Sequence, residues 1–209
     1  MNRAWWVYVL GVVAMVLSFP YPPKLLALLA AEIVIVLLIW AGLWLGERNG
    51  LGSRIPSLRR AGLALLIGFV TGGVVLVLLP LAGLQSRLIK EASVPLWKWL
   101  IIAFDSAILE EIIFRLFAVS LVVWVLARFI RRQPAIWTAL IISALLFGAA
   151  HLSRWMDAGP VVIAAVIIVN GLIAIVLGLM YVKWSIEAAI LGHFAGDVMV
   201  HIIGPHLFI

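Results

Sequence analysis

Apolar residues run along this chain in blocks of about 20, the length a helix needs to cross a bilayer at 1.5 Å of rise per residue. The blocks cover residues 4–19, 25 to about 45, 61–81, 97–127, 136–151, 161–182 and 186 to about 203. They predict seven spans, with a range of six to eight. The first block follows Arg3 and ends in Leu-Ser-Phe-Pro, which lacks a small-x-small cleavage site. It reads as a span or signal anchor, not as a removable signal. Tyr21-Pro22-Pro23 reads as a turn, and residues 85–95 as a polar surface helix. Alternating segments and Asn-Gly or Asp-Gly hairpin turns are lacking, and the apolar runs are twice too long for barrel strands. The expectation is an all-α, polytopic transmembrane helical bundle forming one domain over residues 1–209.

Composition agrees. Hydrophobic residues make up 66% of the 209 positions and charged residues 11%, with a mean hydropathy of +1.25. A soluble globule needs a polar skin that this chain does not have. That excludes a soluble enzyme, a DNA-binding domain and a disordered chain, and makes lipid the surrounding partner. The net charge of +6 would suggest nucleic acid in a soluble protein. Here the basic residues sit between apolar blocks, so they orient the chain and do not bind nucleic acid. With the amino terminus inside, nine basic residues fall on the inner side: Arg3, Arg48, Arg54, Arg59, Arg60, Arg128, Arg131, Arg132 and Lys183. Five fall outside: Lys24, Arg87, Lys90, Lys98 and Arg154. The expected product is a multi-pass protein of a prokaryotic cell membrane with a cytoplasmic amino terminus. Cysteine is absent, so disulfides and thiolate chemistry are excluded.

Ionisable groups inside spans cost about 2.5–3.5 kcal/mol each even on the lenient insertion scale. They concentrate in three places: Glu110-Glu111-Ile-Ile-Phe-Arg115, Phe147-Gly-Ala-Ala-His151 and His193-Phe-Ala-Gly-Asp197. Glu111 and Arg115 are four apart and can pair on one helix face. Glu110 points about 100° away and is left for another task. Phe147 can pack under the His151 ring, and His193 and Asp197 project together. Gly192 and Gly196 beside them, like Gly68 and Gly72 in the third span, permit close helix approach. Three helices can thus pool two carboxylates and two imidazoles in a dry pocket. Such a pocket can activate water through a glutamate base. Glu110, His151, His193 and Asp197 could also hold zinc, which takes nitrogen and oxygen ligands around one open position. No hydroxyl or thiol nucleophile accompanies the cluster, which disfavours a covalent route.

Other polar positions carry less. Glu32 lies mid-span without a local partner, and Asp105 is placed near the membrane interface. Asn170 is expected to bond between helices, and His201 and His206 to face solvent.

The pattern E-E-x-x-x-R, F-x-x-x-H, H-x-x-x-N/D on successive spans resembles the CPBP family of intramembrane proteases, also called the CAAX-processing and Abi family. The likeness covers about residues 97–205, making that half the catalytic core, while 1–95 match only as generic spans and loops. It implies an intramembrane endopeptidase of glutamic type, with no cofactor favoured. Glu110 and His151 would activate water, and His193 and Asp197 would stabilise the oxyanion. Glu111, Arg115 and Phe147 would support them. Asp197 departs from asparagine: it can donate a hydrogen bond only as the neutral acid. Either it is protonated, or it orients His193, or a metal is present. The substrate would be a membrane-associated or secreted protein or peptide, and the role protein maturation or carboxyl-terminal signal processing. A CAAX-type prenyl-protein endopeptidase is the alternative, as is a non-catalytic bacteriocin immunity or scaffold protein. A proton or metal transporter is a third reading, opposed by the lack of inverted repeats. Glu110 lies about 20 Å of helix rise from Trp97, so mid-membrane if Trp97 marks the outer belt, with His151 nearer the outer face. That favours an outward-open site.

Overall fold

The computed structural model describes residues 5–18, 24–52, 57–81, 89, 91–155 and 157–207. These residues are almost wholly helical, with no strand among them. Seven rods account for the seven expected spans. They are α1 (Trp5–Ser18), α2 (Leu25–Arg48), α3 (Leu58–Leu81), α4, α5 (Arg132–Ala150), α6 (Pro160–Lys183) and α7. Two are composite. α4 is α-helical over Leu96–Glu110, π-helical over Glu111–Val119 and α-helical again over Ser120–Leu126. α7 runs from Ile186–Asp197 through a π-helical Val198–Ile203 into Gly204–Leu207. Five helical stretches are long and apolar enough to cross a membrane: Leu25–Arg48, Leu58–Pro80, Arg132–Ser153, Pro160–Lys183 and Ile186–Leu207. The 14-residue α1 is shorter. The Tyr21-Pro22-Pro23 turn, residues 85–88, and Arg3, Arg54, Arg87 and Lys90 lie outside the described residues. Of the expected surface helix, Ile89 and Glu91 are helical and residues 92–94 form the turn that follows, with Val94 N donating to Glu91 O at 3.0 Å.

α4 is the axis of the bundle. Ala103, Ala107, Ile108, Ile112, Leu116 and Val119 are buried along it, and α1, α2, α5, α6 and α7 all pack on it. Small residues bring these partners close. A Cβ on Gly42 of α2 would strike the Leu116 backbone. One on Gly11 of α1 would meet Ile39 and Ile112. Large apolar residues such as Ile33, Leu37, Val70, Val77, Ile141, Leu145, Ile168 and Leu172 remain on the outer surface. In water that surface would drive aggregation; in a bilayer it is solvated by acyl chains.

The Gly68/Gly72 and Gly192/Gly196 pairs meet each other. A Cβ on Gly68 would collide with the Gly192 backbone, and one on Gly72 with Gly196 and Met199. Two glycine pairs at i, i+4 therefore let α3 and α7 press together next to His193. Gly68→Val is expected to lower the thermal unfolding midpoint of the detergent-purified protein, with a loss of about 3 kcal/mol from overpacking. Gly62→Ala, where nothing lies within 4 Å of the added methyl group, should leave the midpoint unchanged.

One end of the bundle is tied at the arginine-rich loops. Arg132 Nη2 donates to Asn49 O at 2.7 Å, and Asn49 Nδ2 to Ser120 O at 3.2 Å. Gly52, at φ +59°, lets the loop after α2 press against the Tyr181 ring. The Tyr181 hydroxyl is buried with Ser120 Oγ at 2.7 Å. The carboxyl end of α2, the end of α4, the start of α5 and the end of α6 therefore share one face.

Candidate active site

The first link in the site is fully buried. Arg115 Nη1 lies 2.9 Å from Glu111 Oε1, and neither side chain is exposed. The guanidinium also lies over the Phe147 ring at 4.4 Å. None of the three Arg115 nitrogens finds an aligned hydrogen-bond acceptor among the described residues. Charge pairing and the aromatic face are its compensation. The sequence-derived pair thus forms.

Glu111 has a second task. Its Oε1 accepts from His193 Nδ1 at 2.8 Å, which orients the imidazole and turns Nε2 toward the cavity. There Nε2 faces two more carboxylates, Glu110 Oε2 and Asp197 Oδ1, each at 3.7 Å. Consecutive glutamates therefore address opposite nitrogens of one imidazole. The π-helical turn begins between them, as π-turns often do at functional sites. Glu110 Oε2 has no hydrogen-bond partner among the described residues.

Phe147 organises the opposite wall. Its ring lies 4.7 Å from that of His151 and 5.9 Å from that of His193, with Phe114 edge-on at 5.2 Å. His151 sits where α5 tightens into the 3-10 turn His151–Arg154, and its Nδ1 is held 2.8 Å from Phe147 O. The other ring nitrogen is thereby turned away from its own helix. Glu110, His151, His193 and Asp197 all line one cavity of about 350 Å³. The structure brings together every residue expected from the sequence.

A structural zinc site needs donors converged at bonding distance, and a catalytic one needs three of them around an open position. His193 Nε2, Glu110 and Asp197 face one another. Even so, no group of three or more His, Asp or Glu among the described residues is arranged to hold a metal ion.

The cavity also contains residues to which the sequence reading gave other places. His201, expected in solvent, is a cavity wall: its Nδ1 lies 2.8 Å from Glu91 Oε2, and its ring stacks on Trp99 at 4.9 Å. Asn170, expected to bond between helices, donates back along α6 to Val166 O at 2.8 Å and lines the cavity. Asp105, expected near the interface, is not part of the cavity lining; it is buried with its Oδ2 2.5 Å from Ser18 Oγ at the last residue of α1. Ser106, missed altogether, donates to Asp197 Oδ2 at 2.8 Å. Its signal was available: it stands four residues before Glu110, on the same face of α4. His206 is exposed as expected, and Glu32 has no hydrogen-bond partner among the described residues.

A family model described as type II CAAX prenyl endopeptidase Rce1-like matches residues 92–199. No curated protein and no solved structure matches the chain.

Proposed function

Since the chain belongs to the type II CAAX prenyl endopeptidase Rce1-like family, a family of intramembrane proteases, we propose that it cleaves a peptide bond by direct attack of water, with Glu110 as the base. The observation that carries this is the Glu110 carboxylate. It lines the cavity beside two imidazoles and a second carboxylate, and its Oε2 has no hydrogen-bond partner among the described residues. An unengaged carboxylate is free to accept a proton from water. Glu110 takes that proton, with His151 holding the water against it. The resulting hydroxide attacks the carbonyl carbon. As the imidazolium, His193 donates through both nitrogens: Nδ1 to Glu111 and Nε2 to the developing oxyanion. Glu110 then returns the proton to the leaving amine. The mechanism requires no metal and no acyl-enzyme. Cleavage of a membrane-embedded or prenylated peptide by the purified protein, lost in Glu110→Gln, is the test.

The ends of the rods support an outward access side. Glu91, Leu79, Trp99, Ser153, Trp155 and His201 line the cavity at the ends opposite Arg48, Arg59, Arg60, Arg128, Arg132 and Lys183. Basic loops stay in the cytoplasm. The amino terminus is then cytoplasmic and the cavity opens outward. This supports maturation or carboxyl-terminal processing of a membrane-anchored or secreted chain over a cytoplasmic prenylated terminus. Family membership supports peptide-bond cleavage in general, while the substrate is set by the site. Because the chain has no cysteine, single cysteines report orientation directly. In intact cells, an impermeant maleimide should label Asp157→Cys and spare Glu47→Cys. Labelling of position 47 alone would reverse the orientation.

A further inference from the structure

We infer that Ser106 is a positioning residue for the proposed hydrolysis, acting on His193 through Asp197. The inference rests on that reading of the site and extends it. Asp197 stands where the family pattern also allows an amide. As an anion it would oppose a nearby oxyanion, unless its charge is held in place and compensated. The geometry does this. The Ser106 hydroxyl has one proton, and the near acceptor is Asp197 Oδ2 at 2.8 Å, with Ala103 O more distant at 3.5 Å. That bond occupies Oδ2 and leaves Oδ1 turned to His193 Nε2 at 3.7 Å. The gap is too long for a hydrogen bond, so Nε2–H is not consumed by Asp197 and remains for the oxyanion. Asp197 acts there as the counter-charge of the imidazolium, held back by Ser106.

Ser106 is itself fixed. Its backbone N–H donates to Asp105 Oδ1 at 2.8 Å, and Asp105 Oδ2 meets Ser18 Oγ at the end of α1. A polar chain thus crosses the bundle from α1 through α4 to α7: Ser18, Asp105, Ser106, Asp197, His193, with Glu111 beyond. It gives α1 a part in holding the site. Because Ser106 stands one helical turn before Glu110, the same rod sets both the base and the counter-charge.

The test uses the full chain in detergent, with 15N-labelled histidine and His193 assigned by difference against His193→Gln. Ser106→Ala should move the His193 Nε2 resonance, and Ser106→Thr, which keeps the hydroxyl, should not. In Asp197→Ala protein, adding Ser106→Ala should move it no further. With a fluorogenic prenylated peptide, Ser106→Ala should lower kcat about tenfold, the scale of losing a hydrogen bond to a charged group, with KM unchanged. Ser106→Thr should recover most of that loss. A wild-type His193 resonance in Ser106→Ala, or an equal shift with and without Asp197, would overturn the inference. The spectroscopic result does not depend on turnover. It is therefore separable from retained cleavage by Glu110→Gln, which would overturn the hydrolytic mechanism instead.

Discussion

Glu110→Gln is expected to lower kcat by about 10²- to 10⁴-fold, the range supplied by a positioned general base. The substitution keeps the shape of the side chain and removes its capacity to take a proton from water. Stability should change little. Among the described residues Glu110 Oε2 has no hydrogen-bond partner, and His193 Nε2 lies 3.7 Å from it. Glu111→Gln makes a useful contrast: it disturbs the contacts to both His193 and Arg115, so it should reduce activity and stability together. Excess chelator should leave the wild-type rate unchanged. Loss of activity on chelation, restored by zinc, would replace the metal-free mechanism. Glu110→Gln within about threefold of wild type would remove Glu110 from the role of base altogether.

Much of this site was legible in the sequence because helix spacing is local. Glu111 with Arg115 and Phe147 with His151 are each four apart on one rod, and all of them meet as the spacing predicts. The glycine pairs were legible for the same reason, though nothing local said that Gly68 would face Gly192. Two kinds of feature were not legible. One is the π-helical turn from Glu111, which widens the helix in response to packing and leaves no residue signature. A regular helical wheel assigns Glu110 and Glu111 to separate tasks. In the bundle both converge on His193, so Glu111 is not only the partner of Arg115. The other is long-range pairing. Ser106 to Asp197 spans 91 positions and His201 to Glu91 spans 110, and no periodicity connects them. His201 looked solvent-facing because it sits near the end of the last rod. It is Glu91, just before the turn into α4, together with Trp99, that covers it.

The buried pair carries the other large effect. Arg115→Met should destabilise the protein by about 3–5 kcal/mol, because it removes one partner of a fully enclosed ion pair and leaves Glu111 only its contact with His193. The midpoint of thermal unfolding in detergent measures this, and a wild-type midpoint would show that the pair does not hold the bundle. Arg115→Lys should recover only part of the loss. An ammonium keeps the charge but has no planar face to lie on the Phe147 ring, where the guanidinium sits at 4.4 Å. The double replacement Glu111→Gln with Arg115→Met removes both charges and should restore much of the stability, since neutral groups do not carry the desolvation cost of a buried ion pair. Its activity should not return. His193 Nδ1 would then face a neutral amide, losing the nearest of the three carboxylates that favour the imidazolium meeting the oxyanion. Stability and turnover would thereby separate in one protein. That separation is what distinguishes a pair kept only to hold α4 in place from one that also sets the charge of His193.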